Sequence, residues 1–213
     1  MTEQNFEAMR RAMVESQLRT TGVNDPRVVA AMAEVPRERF VPADRRALAY
    51  TDRPVPLGGG RALNLPEATG LLLTAAQIRV EDHVLLVGAG TGYTAALLAR
   101  LAGSVVAVEE DAALAAQARD VAGVQIVEGP LAEGAARHAP YDLIVIDGLV
   151  EHVPEALIAQ LKDGGRLVCA LLDRGASRLA FGRKAGTGFG CDLFADCEAP
   201  PLPGFARPKS FVF

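Results

Sequence analysis

Hydrophobic and polar positions recur along this chain with two different periods, and the change of period marks its elements. Near the start, Phe6, Met9 and Met13 fall at helical spacing while Arg10, Arg11 and Arg19 lie on other faces. This predicts an amphipathic helix packed on a larger body. Asp25 followed by Pro26 reads as a helix start, an acid at the cap and a proline in the first turn. The helix over 27–34 is expected to end before Pro36. Prolines and glycines punctuate the chain from Val35 to Gly60, so this stretch is expected to be irregular and the Gly58-Gly59-Gly60 run mobile. It reads equally as a cover over a binding site or as a connector. A further helix begins at Pro66 and Glu67 and carries Leu71, Leu72, Leu73 and Ala75.

From His83 the pattern becomes short apolar runs separated by helical segments. Strands are expected at 83–87, 104–108, 124–127, 141–146 and 166–172, and helices at 94–101, 111–121 and 154–161, with Gly164-Gly165 as a stop. Strand–helix repetition implies a mostly parallel sheet covered on both faces. Segments 178–184 and 189–197, separated by Ala185-Gly186-Thr187-Gly188, read as a closing antiparallel hairpin. The proline-rich tail 200–213 has no pattern that places it. Residues 1–66 form an N-terminal helical and loop extension and 67–213 the α/β domain, together one compact unit.

Chemistry enters where the first parallel strand ends. Val84-Leu85-Leu86-Val87 runs into Gly88-Ala89-Gly90-Thr91-Gly92-Tyr93, and the next residues read as a helix. Strand, glycine turn and helix start a nucleotide-binding unit. The glycines permit backbone angles closed to other residues, and the helix offers free N–H groups beside the turn. The second strand ends in Glu109, roughly 20 residues after the first glycine, where a carboxylate can accept hydrogen bonds from both hydroxyls of a ribose. The plain alternative for Glu109 is a solvated charge at a strand end. Tyr93 stands where a dinucleotide fingerprint has its third glycine. That spacing favours S-adenosylmethionine, with S-adenosylhomocysteine as product, over a dinucleotide.

Composition narrows the setting. Of 213 residues, 50% are hydrophobic and 23% charged, which is ordinary for a globular chain. The net charge of −4 argues against a large nucleic-acid footprint. No apolar run reaches the roughly 18–20 residues that span a bilayer, so no membrane partner is expected. Met1–Glu7 shows no cationic segment followed by an apolar one. Cys169, Cys191 and Cys197 form no C-x-x-C pair, and with the three histidines they give no metal-ligand spacing. His83, His138 and His152 are expected to be structural or on the surface. Free thiols and no export signal point to the cytoplasm. Nothing in the pattern sets an oligomeric state.

Read as blocks, the chain resembles the protein-L-isoaspartate O-methyltransferases over about residues 9–204. Residues 35–42 resemble that family's V-P-R-E-x-F-V-P. Tyr50, Asp52 and Val55-Pro56-Leu57-Gly58 resemble Y-x-D-x-x-L-P-I-G, and residues 84–93 resemble V-L-E-I-G-T-G-S-G-Y. Ala139-Pro140-Tyr141-Asp142 resembles A-P-Y-D, and residues 160–168 match Q-L-x-x-G-G-R-L-V. The resemblance implies a Rossmann-like seven-stranded methyltransferase sheet, mostly parallel with a C-terminal antiparallel hairpin, plus an N-terminal helical extension. It also implies methylation of the isoaspartyl carboxylate in damaged proteins or peptides, with S-adenosylmethionine as donor. The carried-over cofactor positions are Gly88, Ala89, Gly90, Thr91, Gly92, Glu109, Glu110, Pro130 and Leu131.

Several family positions have changed. Asn64 stands where T-I-S-x-P has its serine near the acceptor, Leu86 replaces an acid, and Glu110 replaces a frequent arginine. Gly129-Pro130-Leu131 replaces G-D-G near the adenine, and Asp147-Gly148-Leu149 replaces a run of small residues. Asn64 and Asp147 are thereby candidate catalytic residues, and Arg61 and Asn64 candidate acceptor-binding ones. Asp147 is expected either to face the crevice at the strand ends, repelling a carboxylate, orienting an amine or hydroxyl or touching the cofactor's amino group, or to form an Asp-Gly turn. Arg61 reads either as a bidentate partner for a carboxylate or as a solvated loop charge. The alternatives to an isoaspartyl enzyme are a hydroxyl or amine acceptor, or cofactor binding without turnover.

Overall fold

The structure is a computed structural model describing residues 5–207. Helix α1 (Phe6–Met13) is capped by Asn5, whose side chain accepts from the Ala8 amide at 3.0 Å, and continues as a π-helical turn over Val14–Leu18. Helix α2 (Pro26–Glu34) starts as its sequence suggests, with the Asp25 carboxylate accepting from the Arg27 amide at 2.8 Å. Two short 3-10 turns, Arg37–Phe40 and Ala43–Leu48, lead into a feature absent from the sequence reading. Val55–Gly58 (β1) and Arg61–Leu63 (β2) pair as an antiparallel hairpin whose turn is the three-glycine run. Helix α3 (Pro66–Ala75) then enters the main domain.

The sheet has seven strands in the order β5-β4-β3-β6-β7-β8-β9. Its five parallel members are β3 (His83–Val87), β4 (Ser104–Glu109), β5 (Val124–Glu128), β6 (Tyr141–Val150) and β7 (Leu161–Asp173). Helix α4 (Tyr93–Leu101) joins β3 to β4, α5 (Ala112–Ala118) joins β4 to β5, and α6 (Glu155–Ala159) precedes β7. β8 (Ala176–Ala185) and β9 (Gly188–Asp196) are antiparallel additions. The chain moves outward from β3 through β4 and β5, then returns to the other side of β3 with β6. The carboxyl ends of β3, β4 and β6 therefore surround a topological switch point, where open α/β sheets bind ligands.

Alternation along the strands explains the unbroken apolar runs. Val84, Leu86, Val105, Ala107, Leu143, Val145, Val168 and Ala170 face one core with α3, α4 and the N-terminal helices. Leu85, Val87, Val106, Val108, Ile144, Ile146, Leu167 and Cys169 face a second core with Leu131, Leu157 and Phe205. Both faces are buried, as a parallel sheet requires.

Two boundaries differ in ways that matter. β7 begins at Leu161, which pairs with Tyr141, and Lys162–Gly165 bulge out before Arg166 resumes the pairing opposite Leu143. β6 does not stop at Ile146; Leu149 and Val150 pair with Ala170 and Leu171. The tail of the chain supports that extension, because Leu149 donates to Pro200 O at 2.8 Å and Leu202 donates back to Leu149 O at 2.9 Å. Residues 208–213 of the tail lie outside the described residues. Among the described residues, no helix is long and apolar enough to cross a membrane.

Candidate active site

At the end of β3 the backbone turns with Gly88, Gly90 and Gly92 at φ values of +85°, +54° and +100°. The turn is fixed to β4 by the Gly88 and Ala89 amides, which both donate to Val108 O at 3.0 Å. What a side chain would meet differs between the glycines. A Cβ on Gly88 would stand 3.2 Å from Leu202 and 3.3 Å from Arg61 Nη2, and one on Gly90 3.3 Å from Leu57. These neighbours are side chains of other segments laid on the outer face of the turn. A Cβ on Gly92 would stand 2.7 Å from Val121 and 3.2 Å from Ala118 Cα, so the third glycine is where α4 and α5 close together.

Glu109 ends β4 fully buried. Its Oε2 accepts from the Gly90 amide at 2.6 Å, and its Oε1 accepts from the Glu110 and Asp111 amides at 3.0 and 3.1 Å. The Arg61 guanidinium, only 6% exposed, also donates to Oε1. Glu109 is thus no solvated strand-end charge, and Arg61 no solvated loop charge. The pairing sets Arg61 against Glu109 and the first glycine. The other carried-over positions divide. Glu110 is exposed, its carboxylate 3.4 Å from the Leu131 amide, and Pro130 is exposed beside it, while the Leu131 side chain belongs to the second core. Thr91 is turned away and donates to Phe40 O at 2.6 Å.

On the β6 side the structure joins Asn64 to Asp147. Asn64 Nδ2 donates to Asp147 Oδ1 at 2.6 Å, and the Thr94 hydroxyl, from the first turn of α4, donates to Oδ2 at 2.5 Å. Asp147 lies inside β6 and is 9% exposed, which overturns the Asp-Gly turn and leaves its carboxylate enclosed rather than open. The physical reason is the tail: its bonds to Leu149 carry the strand past Gly148, and both Asp147 oxygens are taken up inside. Burial pushes the Asp147 carboxyl up, against the pull of the Thr94 and Asn64 hydrogen bonds and the charges of Arg37 and Arg61.

Arg37 and Thr94 went unnoticed in the sequence. The Arg37 side chain is completely buried, donates to Ala49 O at 2.6 Å and to Asn64 O, and lies 4.8 Å from the centre of the Tyr93 ring. It fixes the turn that presents Asn64. Arg37 Nη1, Asn64 Oδ1 and the Tyr93 hydroxyl find no hydrogen-bond partner among the described residues. Among the described residues, no histidine side chain bonds a member of this cluster. His83 bonds Ser104 Oγ at 2.6 Å and stacks on Tyr141, and His152 Nδ1 lies 3.1 Å from Phe205 O.

The residues fit a nucleoside cofactor. A buried carboxylate lies beside a glycine turn, and Cβ positions on its first two glycines would meet only movable side chains. Fold and site together define the class, an α/β enzyme that holds a nucleoside at the carboxyl edge of β3 and β4. The family follows from comparison with known proteins. A family model described as protein-L-isoaspartate(D-aspartate) O-methyltransferase matches residues 8–189. A protein-L-isoaspartate O-methyltransferase of Rhodopseudomonas palustris is 39% identical over 94% of this chain and 85% of its own length. One from Methanoculleus marisnigri is 43% identical over 75% of each. The chain belongs to this family and is an S-adenosylmethionine-dependent methyltransferase.

Solved structures agree on the fold. One protein-L-isoaspartate O-methyltransferase superposes with a TM-score of 0.78 at 24% identity, covering 92% of this chain and 66% of that one. A Plasmodium falciparum protein described as of this type, in complex with S-adenosyl-L-homocysteine, superposes with a TM-score of 0.75 at 17% identity over 92% of this chain and 97% of its own.

Proposed function

We propose that this protein methylates the free carboxylate of isoaspartyl residues in damaged proteins or peptides. One observation carries this beyond the family: both oxygens of Asp147 are engaged by Asn64 and Thr94, so this carboxylate braces Asn64 rather than standing open to an acceptor. A carboxylate acceptor needs none, because it is ionised near neutral pH. A hydroxyl or amine acceptor has a proton to lose, and Asp147, buried against Asn64 and Thr94, is not presented to take it. S-adenosylmethionine supplies a sulfonium methyl group. The chain's part is to bind, align and exclude water. Gly88 and Gly90 give the cofactor access to the backbone, Glu109 holds its ribose, and Asn64, braced by Arg37 and Asp147, borders the acceptor.

Incubation with methyl-labelled cofactor and an isoaspartyl peptide is expected to yield a base-labile methyl ester. Transfer no greater than to the matching aspartyl peptide would overturn the acceptor and leave the family membership in place.

A further inference from the structure

Glu109 has room for about four hydrogen bonds, about two on each oxygen; the Glu110 and Asp111 amides and Arg61 crowd Oε1, and the Gly90 amide reaches Oε2. The amides are set by the glycine turn and the strand end. Only the guanidinium hangs from a flexible side chain. Its Nη2 also lies over Gly88, on the face a nucleoside has to approach. Arg61 therefore stands where the ribose hydroxyls have to bond.

We propose that Arg61 is an exchangeable counter-ion: it yields Glu109 to the cofactor's ribose, and the released guanidinium then receives the acceptor's carboxylate. The second half rests on the isoaspartyl reading. Arg61 opens β2, directly after Gly58, Gly59 and Gly60, whose φ values of +104°, +58° and +75° turn the hairpin. That hairpin is a two-stranded unit of its own, so Arg61 can move without parting a strand of the main sheet. Arg61 also stands three residues before Asn64 in the same segment, so its two destinations belong to one stretch of chain. The exchange is conditional. Withdrawing Arg61 alone would strand a buried carboxylate, so the arginine leaves only as the ribose hydroxyls replace it. Cofactor binding then creates the carboxylate subsite, and by linkage each ligand tightens the other.

Calorimetric titration of the full-length protein with S-adenosylhomocysteine tests the exchange. Arg61→Met removes the competitor and is expected to bind S-adenosylhomocysteine at least fivefold tighter than wild type; equal or weaker binding overturns the proposal. Arg61→Lys, whose compact ammonium is more strongly hydrated than a guanidinium and so gives up the carboxylate more readily, is expected to bind tighter by a smaller factor and decides the matter if the methionine variant does not fold. The second half is read from the affinity of an isoaspartyl peptide with and without saturating S-adenosylhomocysteine. Wild type is expected to gain at least fivefold and Arg61→Met nothing; a wild-type affinity indifferent to S-adenosylhomocysteine overturns the released-guanidinium role. A peptide that binds under neither condition removes the isoaspartyl reading, and the titration still decides the exchange.

Discussion

Asp147 is a carboxylate held in the middle of a strand, where burial raises its proton affinity and two donors hold its shape. Its pKa in the folded protein lies above the ordinary carboxylate value. Across that window the folded state keeps a proton that the unfolded chain has released. The group's contribution to stability therefore falls as pH rises through the window, and the loss is complete above it. Asp147→Asn abolishes that loss while an amide oxygen still accepts from Asn64 and the amide NH₂ meets Thr94. The variant is expected to melt about 2–4 °C higher at pH 7, the shift made by about 1 kcal/mol in a domain of this size, with the advantage shrinking toward pH 4. It is also expected to retain most of its transfer to an isoaspartyl peptide, because on the proposed reading a carboxylate acceptor needs no base. A lower melting temperature at pH 7 would mean that Arg37 and Arg61 hold this carboxylate ionised at a net gain.

Among the elements, the glycine turn separates two reasons for the same residue. Gly90 needs its left-handed angle but has only the Leu57 side chain above it, so Gly90→Ala is expected to cost about 1–2 kcal/mol of backbone strain. Gly92 adds a close approach to the Ala118 backbone and Val121, so Gly92→Ala adds overpacking to strain and is expected to cost about 2–5 kcal/mol. Urea denaturation checks the order; equal losses would show that α5 yields freely to α4. The turn, Glu109 and the five parallel strands were legible because each is written locally, as glycine spacing or as apolar runs buried on both faces. The β1–β2 hairpin was not, since β2 has three residues and the joining glycines read as a loop. The end of β6 was hidden for another reason. Asp147-Gly148 has turn composition, and the bonds that extend the strand come from Pro200 and Leu202, some fifty residues on. Arg37 gave no signal either. Arginines are seldom fully buried, and the carbonyls that accept from this one, on Ala49 and Asn64, lie well along the chain.

For the whole molecule, the question is whether residues 1–66 and 67–213 behave as one unit. Met13, Val28 and Met32 share a core with Leu72, Leu97 and the strand residues Val84 and Val145. Polar ties cross the same boundary. Arg27 donates to Ile78 O at 2.8 Å, Thr91 to Phe40 O, and Phe40 packs edge-on to Tyr93 at 5.6 Å. An extension held this way exposes apolar surface once the sheet opens, and the sheet's α4 face loses its cover if the extension leaves. The two parts are therefore expected to unfold together, in a single urea transition. Hydrogen exchange followed by mass spectrometry tests this directly, because amides of α2 and of β3 are then expected to open with the same free energy. Earlier opening of α2 would instead make the extension a separate unit, and with it the Arg37 brace on Asn64 would become a contact that can be lost while the glycine turn around Glu109 stays folded.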